Sequence, residues 1–376
     1  MRKETVKFLN KDKSQFFPVL RERIELYFKE QGLNRQGDNS LVGKGFFMLG
    51  LLLIPYGLIL SNQFSPWTAL GFAVLMGLGI SGVGMSVMHD ANHGSFSSVS
   101  WINTFFSFSL YLLGGNVLNW KVQHNTLHHT YTNIHDVDED ITGKFLLRLS
   151  YSDKRKSIHR YQHIYAFFLY GLMTFSFFVK DFRQAYKYNH TGGNKLVKPF
   201  SKQDVLVLIA SKVFYLLFIA VLPLSITDLT FWQWALGFLI MHFTAGLVLS
   251  TIFQLAHVVE GAEQPSPDEK GTVHNAWAIH QMQTTANFSC PPLLSWFIGG
   301  LDFQIEHHLF PNVSHIHYRA LSPIVQRTAE EYGIPYNNKE SFPAALNSHV
   351  SMLKVLGNHV SAQPLESAQT ASYSTY

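Results

Sequence analysis

The chain has 376 residues, of which 47% are hydrophobic, and its 14% of charged residues falls below the roughly 25% of soluble domains. This composition disfavours a soluble globular protein and indicates a chain that lies in lipid. The net charge is only +4, and no basic pattern indicates nucleic acid. Cys290 is the only cysteine, which excludes an intrachain disulfide and a thiolate-bound metal cluster.

The predicted elements begin with an amphipathic surface helix over residues 16–28. Four later stretches approach the roughly 20 apolar residues that cross a bilayer. They are residues 45–60, 67–88, 205–226 and 231–256. Two weaker apolar stretches are 101–118 and 161–179. Lys and Arg flank the second on both sides, so we expect it to lie in the membrane interface or to enter the membrane part-way, and we interpret the first likewise.

The distribution of basic residues predicts the topology. The links 61–66 and 227–230 contain no Lys or Arg, whereas residues 1–44 are rich in both. Because cytoplasmic flanks carry the excess of Lys and Arg, we expect both termini in the cytoplasm. The predicted fold is an all-α integral membrane protein. It has four transmembrane helices in two hairpins and a cytoplasmic, histidine-rich helical cap.

Three short stretches contain seven of the chain's 19 histidines. They are HDANH at 89–93, HNTLHH at 124–129 and QIEHH at 304–308. In an α-helix, residues three and four apart share a face, so each stretch could aim its imidazoles in one direction. One metal rarely takes more than three or four imidazoles, so the number indicates two metals.

Ligand type alone leaves the metal open, since imidazole suits zinc, copper, iron and nickel. The stretches lie at the predicted cytoplasmic ends of apolar helices, where a metal could meet a lipid chain. That position favours a redox metal that activates oxygen, and iron is the natural candidate.

The motifs HDANHGSF, WKVQHNTLHHTYTN followed by DVDED, and GGLDFQIEHHLFPN resemble the membrane-bound fatty acid desaturases. The resemblance covers about residues 45–311 and includes the order of the three boxes around two hairpins. Gln304, which opens the third box, resembles the front-end branch, which includes linoleoyl-type Δ6 enzymes. The resemblance implies that dioxygen and two electrons introduce a cis double bond into an acyl chain.

The resemblance also implies a non-haem centre with two iron ions. Carried over by position, its ligands would be His89, His93, His124, His128, His129, His257, His307 and His308. His257 also ends a long apolar helix on the predicted side of the boxes. Gln304 would bind iron weakly, bind it through water, or only shape the pocket. No catalytic residue beyond the metal ligands is predicted.

Further site residues are predicted beside the boxes. A metal-bound histidine usually donates its other N–H to a carboxylate or a carbonyl. The candidate carboxylates are Asp90, Asp136, Asp140, Asp302 and Glu306. Asn119, Trp120 and Lys121 precede the second box in a family-like position, and we expect them to contact the substrate head group.

Charge, composition and the resemblance together predict a domain division and a set of partners. Residues 1–44 form a cytoplasmic segment, 45–311 the membrane and di-iron domain, 312–361 a cytoplasmic helical region, and 362–376 a disordered tail. The acyl substrate would be carried on CoA, a carrier protein or a glycerolipid. No fused cytochrome b5 segment with an HPGG motif is present, so a ferredoxin or free cytochrome b5 is expected to donate electrons. We expect a bacterial inner membrane location.

Two other functions were weighed against desaturation. A membrane di-iron hydroxylase or monooxygenase could use the same scaffold on a lipid or alkane, but QIEHH and LFPN favour desaturation. A metal transporter would place ionisable residues at the bilayer midplane and show repeats. The ligands here are predicted at helix ends on one side, which disfavours transport.

Overall fold

The computed structural model describes residues 6–11, 13–142, 145–190 and 197–359. Most of this part is helical. The first helices are α1 (Phe16–Gln31), α2 (Asn39–Leu60), α3 (Pro66–His93), α4 (Ser100–Ser107), α5 (Ser109–Leu112), α6 (Val117–Trp120), a π-helix (Lys121–His128), α7 (His129–Tyr131), a 3-10 turn (Ser157–Tyr161), α8 (Gln162–Gly171), a 3-10 turn (Met173–Ser176) and α9 (Phe177–His190).

The remaining helices are α10 (Lys202–Ile226), α11 (Phe231–His257), α12 (Trp277–Thr284), α13 (Pro292–Phe297), α14 (Gln304–Leu309), a 3-10 turn (His315–His317), α15 (Tyr318–Glu331) and α16 (Phe342–Asn358). Two short parallel strand pairs complete the fold. They are β1 (Lys7–Phe8) with β2 (Thr272–Val273), and β3 (Asn287–Phe288) with β4 (Asn338–Lys339).

Helices α2, α3, α10 and α11 are long and apolar enough to cross a membrane. They cover the four predicted stretches. Helix α3 begins where Ser65 accepts a hydrogen bond from the Thr68 amide, and α11 begins at a capping box. Glycines let α3 pack closely on its neighbours: a Cβ on Gly79 would lie 2.6 Å from the backbone of Leu52 in α2.

The two weaker apolar stretches do not form straight helices. Residues 101–118 are split between α4, α5 and α6, with Gly114 in a left-handed conformation (φ +80°) after α5. The second stretch forms two helical segments, 157–171 and 173–190, which are separated by a break at Leu172. Their axes are bent by 65° relative to each other. Counted as one broken span, this pair would raise the candidate spans in the described residues from four to five.

Helix α1 confirms the predicted amphipathic pattern, but its apolar face does not lie on the surface. Phe16, Leu20, Ile24 and Phe28 are buried against α12, α14 and α15. This contact joins the N-terminal segment to the C-terminal helices, which the local sequence pattern did not reveal. The predicted disordered tail, 362–376, lies outside the described residues.

One lysine lies inside an apolar helix and is fully paired. The Lys212 ammonium of α10 donates to the Asp181 carboxylate at 2.5 Å and to the carbonyls of Gly114 and Phe177 at 2.6 and 3.0 Å. All three ammonium hydrogens therefore have acceptors. These bonds tie the broken segments 101–118 and 157–190 to α10.

Replacing Lys212 with methionine should destabilise the protein by about 3–5 kcal/mol, because the Asp181 carboxylate would stay buried without its counter-ion. Thermal unfolding in detergent measures the change. Lys202→Met, at the exposed start of α10, is the matched control. Equal stability of the Lys212 variant and the wild type would contradict a structural role for the pair.

Candidate metal centre

Histidines from all three boxes converge with the last residue of α11 in a single buried site. Two groups each have ligand nitrogens within 4.8 Å of one another. The first group is His89, His93, His124 and His307, and the second is His128, His257 and His308. The imidazole of His129 lies between them, with ring centroids 4.7 Å from His93 and 4.4 Å from His308.

The local helix geometry explains how one box serves both groups. The second box lies in a π-helix, in which backbone bonds join residues five apart. His124 and His129, five apart, have their Nε2 atoms 3.2 Å from each other, whereas His128 faces the second group. The imidazoles of this box do enter one site, with the rings of His124 and His128 stacked at 5.3 Å, but the π-helix divides them between the two groups.

The third box divides in a different way. His307 and His308 are consecutive in α14, and consecutive residues of an α-helix point about 100° apart. His307 therefore joins the first group and His308 joins the second. A π-turn also precedes the first box, at Gly84–Met88 within α3. Such turns often occur at functional sites.

The outer nitrogens of four imidazoles are held by neighbouring groups. The Nδ1 partners are Asp138 for His128 (3.1 Å), Tyr318 for His307 (3.0 Å), Gln281 for His308 (2.9 Å) and the Thr284 carbonyl for His257 (3.4 Å). The Tyr318 hydroxyl donates to the Val313 carbonyl, so it accepts from His307. This arrangement fixes the ring and turns Nε2 toward the centre.

The inner nitrogens fit a pair of metal ions. Within the described residues, the buried Nε2 atoms of His93, His128, His257, His307 and His308 have no hydrogen-bond partner. Unsatisfied buried polar atoms are costly, and a metal ion would satisfy them. Burial, together with neighbouring imidazoles, holds the pKa of His307 and of His308 well below its usual value. Both rings are therefore neutral, which is the form that binds metal.

The predicted carboxylates occupy different positions. Asp90 accepts from the His315 Nδ1 at 2.8 Å, and it lies 3.7 Å from His89. Asp140 lies 3.7 Å from the Nδ1 of His128. These two carboxylates are close to the centre, although neither is within hydrogen-bond distance of a box histidine.

The other three candidates bond elsewhere. Asp136 is exposed and contacts His135, outside the boxes. Asp302 accepts from the Ser295 hydroxyl at 2.8 Å. Glu306 accepts from Asn287 and Tyr336, and burial raises the pKa of its carboxyl to about 7.

Asp138 is the carboxylate that bonds a box histidine directly, and the sequence prediction missed it. Its side chain is fully buried and also accepts from the backbone amides of Asn133 and Asp140. Proximity to the box instead favours Asp136 and Asp140, on either side of Asp138, as partners of a ligand. The available signal was the position of Asp138 at the centre of the DVDED run, ten residues after His128.

The three residues predicted to contact the substrate head group have different surroundings in the structure. Asn119 is buried and donates to the Asp181 carbonyl at 2.8 Å, so it faces α9. Trp120 packs on His124 with ring centroids 4.4 Å apart. Lys121 is half-buried, and burial lowers the pKa of its amine.

A cavity of about 2060 Å³ reaches His89, His124, Trp120 and Gln304. Its walls include both apolar and polar side chains. The apolar walls include Gly84, Met88, Leu113, Leu249 and Phe253, and the polar walls include Gln123, Glu139, Lys180, Arg183 and Gln184. Gln304 lies on the wall of this cavity. The site can admit an apolar chain that carries a polar head.

Comparison with known families matches residues 65–339 to the fatty acid desaturase family, described as "Fatty acid desaturase". The match includes every histidine of both groups. The chain belongs to the fatty acid desaturase family. This desaturase is thus a membrane oxidoreductase that acts with dioxygen on the acyl chain of a lipid.

The desaturase resembles several characterised relatives over nearly its whole length. A Synechocystis sn-1 linoleoyl-lipid 6-desaturase is 34% identical, over 94% of this chain and 98% of the relative. The enzyme of the same name from Arthrospira platensis is 30% identical, over 93% and 95%. An acyl-lipid (8-3)-desaturase from Physcomitrium patens is 34% identical, over 95% and 74%.

Proposed function

We propose that this desaturase is a front-end acyl-lipid desaturase, which introduces a cis double bond between an existing double bond and the carboxyl end. The observation that carries the proposal is a large, partly apolar cavity that reaches His89 and His124 of the first histidine group, beside which the second group lies. Two similar relatives are named as linoleoyl-lipid 6-desaturases. The glutamine that opens the third box supports the same branch.

The proposed centre holds two irons. The ligands would be His89, His93, His124, His128, His129, His257, His307 and His308. Gln304, on the cavity wall, shapes the pocket beside them. When bound, the irons would activate dioxygen for the oxidation of an unactivated C–H bond. Overall, dioxygen, two electrons and two protons are consumed as the acyl chain loses two hydrogens, giving a double bond and two waters.

The protein's own residues position the acyl chain and exclude water from the reacting atoms. The apolar walls hold one methylene beside the imidazoles and exclude water from the reacting atoms. Trp120, packed on His124, forms the wall where the chain passes the centre. Asp138 and Tyr318 keep the imidazoles of His128 and His307 aimed inward.

The proposed topology has four spans in two hairpins, both termini cytoplasmic, and the bent 157–190 segment entering the membrane only part-way. His93 and His257, which end α3 and α11, lie in the two histidine groups of one site, and this supports the proposed topology. Residues 1–44 and 312–361 are then cytoplasmic and flank the 45–311 domain. A separate ferredoxin or cytochrome b5 would dock on the basic cytoplasmic side, in a bacterial inner membrane.

Product analysis tests the proposed reaction. Expression in a host of known lipid profile, with and without linoleate, should give a new double bond on the carboxyl side of the existing ones. Mass spectrometry of derivatised fatty acids locates that bond. A hydroxylated product would favour the monooxygenase alternative, and a bond on the methyl side would contradict front-end selectivity.

Two residues on the cavity wall give a prediction about chain length. Among the lining residues of α3 and α11, Gly84 and Leu249 lie farthest in sequence from His93 and His257, and a Cβ on Gly84 would lie 3.0 Å from Leu249 Cδ2. One methylene in an apolar pocket changes selectivity about 10–200-fold. Gly84→Leu should therefore lower turnover of the longest accepted chains at least about 10-fold relative to shorter ones.

Two further variants make this prediction specific. Leu249→Ala should extend the cavity and restore longer chains when combined with Gly84→Leu. Gly71→Leu is the control, since a Cβ there has no neighbour within 4 Å among the described residues. If the wild type and Gly84→Leu accept acyl chains of the same lengths, the cavity wall at Gly84 does not contact the substrate.

A further inference from the structure

A series of side-chain amides connects α9 and α10 to the second histidine group. It begins at Asp181, which pairs with Lys212 through its carboxylate. The backbone carbonyl of Asp181 accepts a hydrogen bond from the Asn119 side chain. It continues through Gln184 and Gln123. It ends at Asp140, beside His128. The established desaturase chemistry gives no role to the two glutamines.

Gln184 is the junction of this series. Its carbonyl accepts from the Asn119 amide at 3.3 Å, while its own N–H groups donate to Gln123 at 2.9 Å and to Glu139 at 2.7 Å. The Gln184 residue is only 5% exposed. A buried amide with all three bonds made holds its neighbours in a defined geometry, because losing a partner leaves polar atoms unsatisfied.

The last bond of the series acts on a carboxylate next to the metal centre. Gln123 donates to Oδ1 of Asp140 at 2.5 Å, while Oδ2 of Asp140 lies 3.7 Å from the Nδ1 of His128. Asp138 already occupies that Nδ1 at 3.1 Å. Gln123 therefore keeps a second negative charge close to His128 without letting it compete for the imidazole.

We propose that Gln184 is a positioning residue, which holds Gln123 and Asp140 so that the charge beside His128 stays fixed. The inference rests on the proposed di-iron function, since it concerns the environment of one ligand. A carboxylate near a ligating imidazole raises its basicity and fixes its orientation. Gln123, Glu139, Asp140 and Gln184 all line the cavity, so this same wall also faces the substrate.

Gln184→Met tests the proposal, because it keeps the side-chain size and removes all three hydrogen bonds. In the iron-loaded protein we expect two irons per chain, as in the wild type, but an altered Mössbauer quadrupole splitting for one of them. Turnover should also fall, by less than the about 10–100-fold that follows the loss of a direct outer partner of a ligand. Gln123→Met removes the next bond and should shift the same signal.

Asn189→Leu is the matched control. Asn189 is also an amide of α9, and its side chain bonds to the backbone of Phe200 at 2.7 and 3.2 Å, outside the series that leads to His128. It should leave the iron spectrum unchanged. A wild-type spectrum in both glutamine variants would overturn the proposal, as would the same shift in Asn189→Leu. Product analysis of the wild type separately tests the proposed reaction, so the two failures are distinguishable.

Discussion

Replacing His307 with alanine should abolish desaturation and remove one iron per chain. The His307 ring lies 4.5 Å from that of His89 and belongs to the four-histidine group, so its loss leaves one metal with too few ligands. Losing an outer partner of a ligand costs about 10–100-fold, and losing the ligand itself should exceed 100-fold. Iron content per chain and fatty acid products measure the two effects.

His274→Ala is the control for this variant. His274 is exposed and pairs with Asp268 at 2.8 Å, apart from both histidine groups. It should keep two irons and normal turnover. Two irons and wild-type turnover in His307→Ala would show that the convergence of the boxes is not a metal site.

Replacing Asp138 with asparagine should lower metal affinity or turnover about 10–100-fold. Asparagine keeps the shape, but it removes the charge that faces the His128 Nδ1 and turns either a neutral oxygen or an N–H toward it. The imidazole would lose its fixed orientation, and the second group would bind metal more weakly. Competition with a chelator, followed by iron analysis, measures the loss.

Asp136→Asn tests the same chemical change two residues away. Asp136 is 48% exposed on its side chain and contacts His135 rather than a box histidine. Its positive φ of +68° is one that asparagine also adopts. This control should retain metal, and an equal loss in both variants would mean that the acidic loop matters only as a whole.

The membrane helices were the most predictable part of this desaturase. The apolar stretches 45–60, 67–88, 205–226 and 231–256 lie within α2, α3, α10 and α11. Long apolar stretches carry a strong signal because crossing a bilayer demands them. The burial of α1 was less predictable, since a short amphipathic pattern does not tell whether lipid or another helix covers its apolar face.

The metal site was predictable in its residues and less so in its geometry. The spacing of the boxes and the end position of His257 identified side chains that do converge. The division of His124 and His128 between two groups depends on a π-helix, and an extra residue per turn leaves little mark on sequence spacing. Asp138, Gln281 and Tyr318 depend on contacts between distant segments, which no local pattern contains.

The pairing of Lys212 also bears on how the chain is synthesised. A lysine at this depth strongly disfavours transfer of α10 from the translocon into lipid as a lone helix. Its three acceptors, on Gly114, Phe177 and Asp181, all precede it in the chain. Ribosomes make N-terminal segments first, so these acceptors are already present when α10 emerges. We therefore expect insertion of the second half of the protein to follow assembly of the first.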